Sequence, residues 1–132
     1  MSEPAAGRRH TAPVEPRTRI PIVYVKDAVG ALIALADAPT DALTHRTFGR
    51  AGVSPSAGEI ADAVRAVVRD AEIDFAPDHH LLAIVDTWPR EISGDAALAE
   101  VGRRNRSELP LLVNGLAHQE RELVTRSAAR PA

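Results

Sequence analysis

Residues Ala76 to Ile92 read APDHHLLAIVDTWPREI and hold the only tryptophan of the chain and two of its five histidines. Pro89 fixes its own φ and pushes the Trp88 backbone toward an extended or turn conformation, so Asp86-Thr87-Trp88-Pro89 reads as a stiff turn. A large ring on such a turn either plugs a gap between layers or closes one wall of a small-molecule site. Both uses are expected to bury most of its area. Ahead of the turn, Glu72 to Phe75 alternates polar and apolar residues as a half-exposed strand does. Behind it, Asp95 is placed to start a short helix with Leu98 and Val101 inward and Gly102 as its stop. His79 and His80 are adjacent, which suits exposed turn histidines and not a metal pair, whose members lie a helical turn apart.

Working outward toward the start, residues 1–16 carry Ala, Pro, Gly and charge with no apolar period, and are expected to be a disordered lead-in. The ordered lobe is expected over 17–126, with 127–132 fraying. Ile20-Pro21-Ile22-Val23-Tyr24-Val25 has strand chemistry, with Pro21 marking an edge or an entry. Asp27 suits an N-cap for a helix over Ala28 to Ala38, where Asp37 is the only charge. A helix with no polar face needs cover all round, so another surface is expected to pack on it. Thr44 to Phe48 reads as a second short strand, broken by Gly49, Gly52 and Pro55.

Ser56-Ala57-Gly58-Glu59 is a capping box, and behind it Ile60, Ala61, Val64, Val67 and Val68 share one face of a helix. Arg103, Arg104 and Arg106 follow the Asp95 helix at the negative end of its dipole. Ser107 then caps a last helix whose buried stripe is Leu109, Leu112, Val113, Leu116, Leu123 and Val124, with Glu122 and Arg126 paired across one turn.

Composition narrows the function classes. The 132 residues suit one ordinary domain. Aromatics make up only 3%, so leucine, isoleucine and valine must fill the core. A net charge of −2 gives no electrostatic case for nucleic acid or an anionic membrane surface. Cysteine is absent, which removes disulfides, thiolate metal sites and a Cys nucleophile together, and fits cytoplasmic residence. No apolar run is long enough to span a bilayer. Arg8-Arg9 is followed by His10-Thr11-Ala12-Pro13 and no apolar stretch, so it does not read as an export signal.

Catalytic constellations are missing. His118 and Glu122 have helical-turn spacing but lie on a hydrated face, and Asp70, Glu72, Asp74 and Asp78 span a helix end and an alternating strand. No serine stands in a G-x-S-x-G elbow, and neither G-x-G-x-x-G nor G-x-x-x-x-G-K-[ST] occurs. The residues alone therefore describe an α/β layer with one excess apolar helix, one rigid tryptophan turn and no catalytic or metal set.

Three segments, in order, resemble one family. Arg17 to Ala28, RTRIPIVYVKDA, is similar to the T-x-L-P-M-M-Y-M-x-D-A segment of the NAD-dependent L-threonine 3-dehydrogenases of the extended short-chain type, and more loosely to a segment of sugar-nucleotide epimerases. Phe48-Gly49-Arg50-Ala51-Gly52 sits where that family has Y-N-V-A-G, with Gly49 and Arg50 replacing Asn and Val. Ala76-Pro77-Asp78 and Asp86-Thr87-Trp88-Pro89 resemble its A-P-D and D-S-W-P. The resemblance runs from about Arg17 to about Val124 and implies a partial C-terminal lobe of an extended Rossmann-type short-chain dehydrogenase. That lobe is α/β, with short strands, three to four helices and no complete Rossmann domain.

It further implies a substrate lobe in which Thr87 and Trp88 line the pocket for a small-molecule substrate and Asp86 holds the turn. The dinucleotide loop and the catalytic Tyr and Lys belong to the family's other part; Tyr24-Val25-Lys26 lacks the Y-x-x-x-K spacing. The lobe alone is thus expected to bind no cofactor and to be inactive, with NAD belonging to the intact family. The apolar helix would face a Rossmann-domain partner chain or a second copy of itself. Two other readings are a non-enzymatic remnant or interaction module docking through helix 28–38, and the lobe of a nucleotide-sugar epimerase.

Overall fold

The structure, a computed structural model, describes residues 8–45, 47–49, 52–102 and 108–128. Met1 to Gly7 of the expected lead-in, Arg50 and Ala51, the Arg103 to Ser107 stretch and the chain end from 129 lie outside the described residues. So do the side chains of Leu98, Val101, Leu123, Val124 and Arg126.

Order begins earlier than the sequence suggests. His10–Ala12 forms β1 and pairs in parallel with β2, Ile73–Phe75, in the register His10 to Ile73, Thr11 to Asp74 and Ala12 to Phe75. The lead-in expected over 1–16 is corrected for these residues. Three residues are too few to show a period, and their partner lies some sixty positions on, so only the ladder reveals them. His10 N donates to Glu72 O at 2.9 Å, Ala76 N to Ala12 O at 3.0 Å, and Arg9 Nε to Asp74 at 2.6 Å.

The Ile20 to Val25 segment contributes a single antiparallel bridge, Ile22 with Val53, beside that of the preceding Arg19 with Ser56, instead of a strand. Pro21 has no N–H to donate, and the helix α1, Val25–Ala36, already begins at the segment's last residue. Tyr24 occupies the N-cap in extended conformation, so Asp27 is not the cap. It sits in the first turn, where a carboxylate still complements the helix dipole. Thr40–Ala42 is a single 3-10 turn, and Thr44 to Phe48, expected as a strand, is irregular over its described residues. The Thr44 and His45 N–H groups both donate to the Glu100 side chain, so they are not free for a ladder.

Helix α2, Ala57–Val67, starts as expected. Ser56 Oγ accepts from Glu59 N at 3.1 Å while Glu59 accepts from Ser56 N at 2.6 Å. Backbone carbonyls of Pro16 and Thr18 accept from Gly58 and Ala57, which satisfies two more N–H groups of that first turn. Three further helices follow: α3, His79–Val85; α4, Asp95–Val101; and α5, Leu109–Ala128. Five α-helices are therefore described where three to four were expected, and α3 is the addition.

The core lies between α2 and α5, where Val64, Val68, Val113 and Ala117 are buried and Ile60, Val67, Ile73 and Leu109 pack around them. Leu116, expected in the stripe, is exposed; Ala117 takes the inward place one turn after Val113. Helix α1 packs against α4 and buries none of its residues, leaving Val25, Val29, Leu32 and Ile33 exposed along one face.

Candidate functional site

Asp78 organises the tryptophan turn. Its carboxylate accepts from His80 N at 2.8 Å and Leu81 N at 3.3 Å, so it caps α3 at the spot where a polar side chain replaces the missing intrahelical partners. His79 and His80 are thereby the first residues of a helix and not of a turn, although both are exposed. The helix closes with Asp86 N donating to Leu82 O at 2.8 Å. Thr87 N and Thr87 Oγ1 both donate to Ile84 O, at 3.1 and 2.7 Å, and Trp88 N donates to Val85 O at 3.0 Å. Pro89 then ends the run.

This bonding fixes where Trp88 stands. Its ring is not buried as expected: the residue is 50% exposed, next to an α3 whose Ile84 is exposed as well. A tryptophan held by a bonded turn yet left half in water is not a plug for this chain's core. Asp86 borders a different feature. Together with Leu82, Val85 and Arg90 it lines a cavity of about 450 Å³ whose other wall comes from Glu15 to Arg19, and neither Thr87 nor Trp88 lines it. The three residues expected to act together are thus divided between a pocket and an open face.

A second polar cluster had no signal in the sequence. Glu100 accepts from Thr44 N at 2.9 Å, Thr44 Oγ1 at 2.5 Å and His45 N at 3.3 Å, and meets the His45 ring nitrogen Nδ1. The Thr44 hydroxyl first, then the His45 ring and the two N–H groups, hold its carboxyl well below the usual range, at about 2. These bonds tie Thr44 and His45 to α4 and build no acid–base pair. His118 and Glu122 face each other at 3.4 Å on the exposed side of α5. Among the described residues, no three His, Asp or Glu side chains gather as metal ligands, and no helix is long and apolar enough to cross a membrane.

The residues present do not fit a dinucleotide. Neither β1 nor β2 is followed by a glycine-rich turn: the chain leaves them through Pro13-Val14-Glu15 and Ala76-Pro77-Asp78. The N–H groups that open α3 already hold the Asp78 carboxylate, where a pyrophosphate would otherwise bind.

No model of a known protein family matches this chain. Among solved structures, a nucleoside-diphosphate-sugar epimerase from Agrobacterium tumefaciens superposes with a TM-score of 0.77 at 25% identity, covering 92% of this chain and 36% of its own. The apo GalE-like L-threonine dehydrogenase from Cupriavidus necator superposes at 0.82 with 30% identity, covering 88% of this chain and 42% of that one. Fold and neighbours together point to the class this chain is similar to, the extended short-chain dehydrogenases of the epimerase/dehydratase type, matched over less than half of their length. Within that class the similarity points to L-threonine 3-dehydrogenase. The mitochondrial enzyme of Bos taurus is 29% identical over 100 residues, which span 76% of this chain and 27% of the relative.

Proposed function

We propose that these residues form the substrate-side lobe of a threonine-dehydrogenase-like oxidoreductase, acting in the cytoplasm on the 3-hydroxyl of a 3-hydroxy amino acid, with L-threonine oxidised to 2-amino-3-oxobutanoate. In this reading Trp88 and Thr87 wall the substrate, and Asp86 secures the turn by its backbone bond to Leu82. The observation that carries it is Trp88 itself, fixed by a hydrogen-bonded turn in a segment similar to that of the dehydrogenases and left half exposed. NAD and the groups that move the proton are supplied by a Rossmann part that covers the exposed face of α1. The 132 residues alone do not turn over threonine.

The test is to combine this chain with a short-chain dehydrogenase Rossmann part, L-threonine and NAD, and to follow NADH. NADH formation that is lost with Trp88→Ala is the expected result. No NADH with any such part, across the protein concentrations at which the two associate, would overturn the assignment. The exposed α1 face also favours a non-enzymatic reading, an interaction module docking through that helix. It predicts self-association of the lone chain by sedimentation and no dependence on Trp88.

A further inference from the structure

The exposed face of α1 is edged by charge in a pattern that the dehydrogenase reading does not use. Val25, Val29, Leu32, Ile33 and Ala36 are exposed along it, and at about 100° per residue they form one apolar stripe. Lys26 and Asp37 are exposed too. Asp37 is the C-cap and keeps helical backbone angles, so the two charges fall on the same edge of the stripe, eleven positions or three turns apart.

Neither charge sits where its own helix favours it. Lys26, in the first turn, meets the positive end of the helix dipole, and the Asp37 carboxylate meets the negative end, where the last turn offers no basic residue. Lys26 Nζ stands 6.0 Å from the centre of the Tyr24 ring, and neither Lys26 nor Asp37 makes an ion pair among the described residues. A second α1 laid antiparallel brings each of them what it lacks. About a two-fold axis midway between Ala31 and Leu32, each Lys26 meets the other copy's Asp37, because such an axis keeps the charged edges of both helices on one side. The same axis sets Leu32 against Leu32 at the centre and Val29 against Ile33 on either side of it. A parallel pair would instead place Lys26 by Lys26 and Asp37 by Asp37, which repel.

We infer that, wherever no Rossmann part covers it, the apolar face of α1 holds a second copy of this chain in an antiparallel two-fold dimer, closed by two Lys26–Asp37 pairs. The inference does not rest on the dehydrogenase reading: the two occupants exclude each other, and the copy takes the face of the lone chain. Each copy completes the other's burial, so the apolar contribution counts twice while freedom of motion is lost once. That balance gives a dissociation constant of about 0.1 millimolar. At the micromolar concentrations usual for unfolding measurements the chain is then a monomer.

The test is sedimentation equilibrium of the 132-residue chain, from about tenfold below that constant to about tenfold above it. A monomer-to-dimer shift with no larger species is expected, since a two-fold contact closes on itself. Leu32→Asp sets two carboxylates together at the axis and abolishes the dimer; Leu32 is 67% exposed, so the monomer keeps its fold. Lys26→Asp alone, or Asp37→Lys alone, turns both end pairs repulsive and weakens the dimer about tenfold. The double variant Lys26→Asp with Asp37→Lys restores opposite charges in the same register and recovers the parent's affinity. Both changes suit the dipole of α1, so the helix persists, which circular dichroism verifies. A monomer at every concentration, a dimer indifferent to Leu32→Asp, or a double variant as weak as either single one would each overturn the inference. NAD and a Rossmann part are absent from this experiment. A lone monomer therefore leaves the dehydrogenase reading standing, and a failed NADH assay leaves the dimer standing.

Discussion

The same truncation at two valines measures which faces of this lobe are finished. Val64 is 3% exposed in the α2–α5 core, whereas Val29 on α1 is 48% exposed. Val→Ala removes two methyl groups, worth about 1.6 kcal/mol of transfer when both are fully buried. At Val64 the cavity left among Val68, Val113 and Ala117 adds to this, for a loss of about 2–3 kcal/mol. At Val29 half the side chain is already wet, so the transfer loss falls to about 0.8 kcal/mol, and solvent fills the space. Alanine's better helix propensity returns about 0.5 kcal/mol there, leaving Val29→Ala nearly neutral. Urea unfolding followed by circular dichroism, with the slope unchanged, reads both as midpoint shifts. A gap of about 2 kcal/mol is expected between the variants. Equal losses would refute the reasoning, since they mean that the outer face of α1 is covered in solution, and the dependence of the midpoint on protein concentration then tells whether a second copy covers it.

Four more outcomes follow from local geometry. Glu100 is held at about 2 in the fold against a reference of 4.5, so its bonds to Thr44 and His45 stabilise the fold above pH 4.5 and are lost as pH falls toward about 2. Acid unfolding across that window should be less steep in Glu100→Gln than in the parent. A Cβ on Gly52 would stand 1.8 Å from the Ile22 carbonyl oxygen, so Gly52→Ala must break the Ile22–Val53 bridge. A loss of about 2–4 kcal/mol in thermal unfolding is expected. Gly102→Ala, where φ is 67° and nothing lies near, costs only about 1 kcal/mol. Ser56→Ala removes half of the capping box and should cost about 1 kcal/mol in the same assay.

Where one element carried its own signal, the sequence was readable. The Ser56–Glu59 box, the α2 face through Val64 and Val68, and the Asp95 start of α4 depend on residues within a turn or two of each other, and each is found as expected. The uncovered α1 follows from the charge-free run Ala28 to Ala36 that makes up most of it, an apolar surface larger than a small chain can hide. Features set by distant partners stayed hidden. β1 exists because Ile73–Phe75 offers it an edge, and Thr44 and His45 give their N–H groups to a glutamate some fifty-five residues on. The candidate site was half legible. Pro89 announced the turn, but only coordinates show that Asp86 lines a cavity together with Arg17, Thr18 and Arg90 while Trp88 stays half exposed outside it.

The exposed face of α1 also sets how the proposed Rossmann part would have to be held. Val25, Val29, Leu32 and Ile33 are between 48% and 67% exposed, so covering them completes roughly half of each burial. At about 2 kcal/mol per fully buried aliphatic side chain, that is about 4–5 kcal/mol in all. Losing translational and rotational freedom costs at least about 4 kcal/mol, so α1 alone cannot hold a free partner tightly. Either the partner also engages the Ile84 and Trp88 face, or the two parts are tethered, which raises their effective concentration to about millimolar. Joining a Rossmann part to this chain through a short linker should therefore yield NADH at protein concentrations where the separate chains give none. A tight complex of separate chains that is indifferent to Trp88→Ala would contradict this, because α1 would then be supplying more binding energy than its exposed area contains.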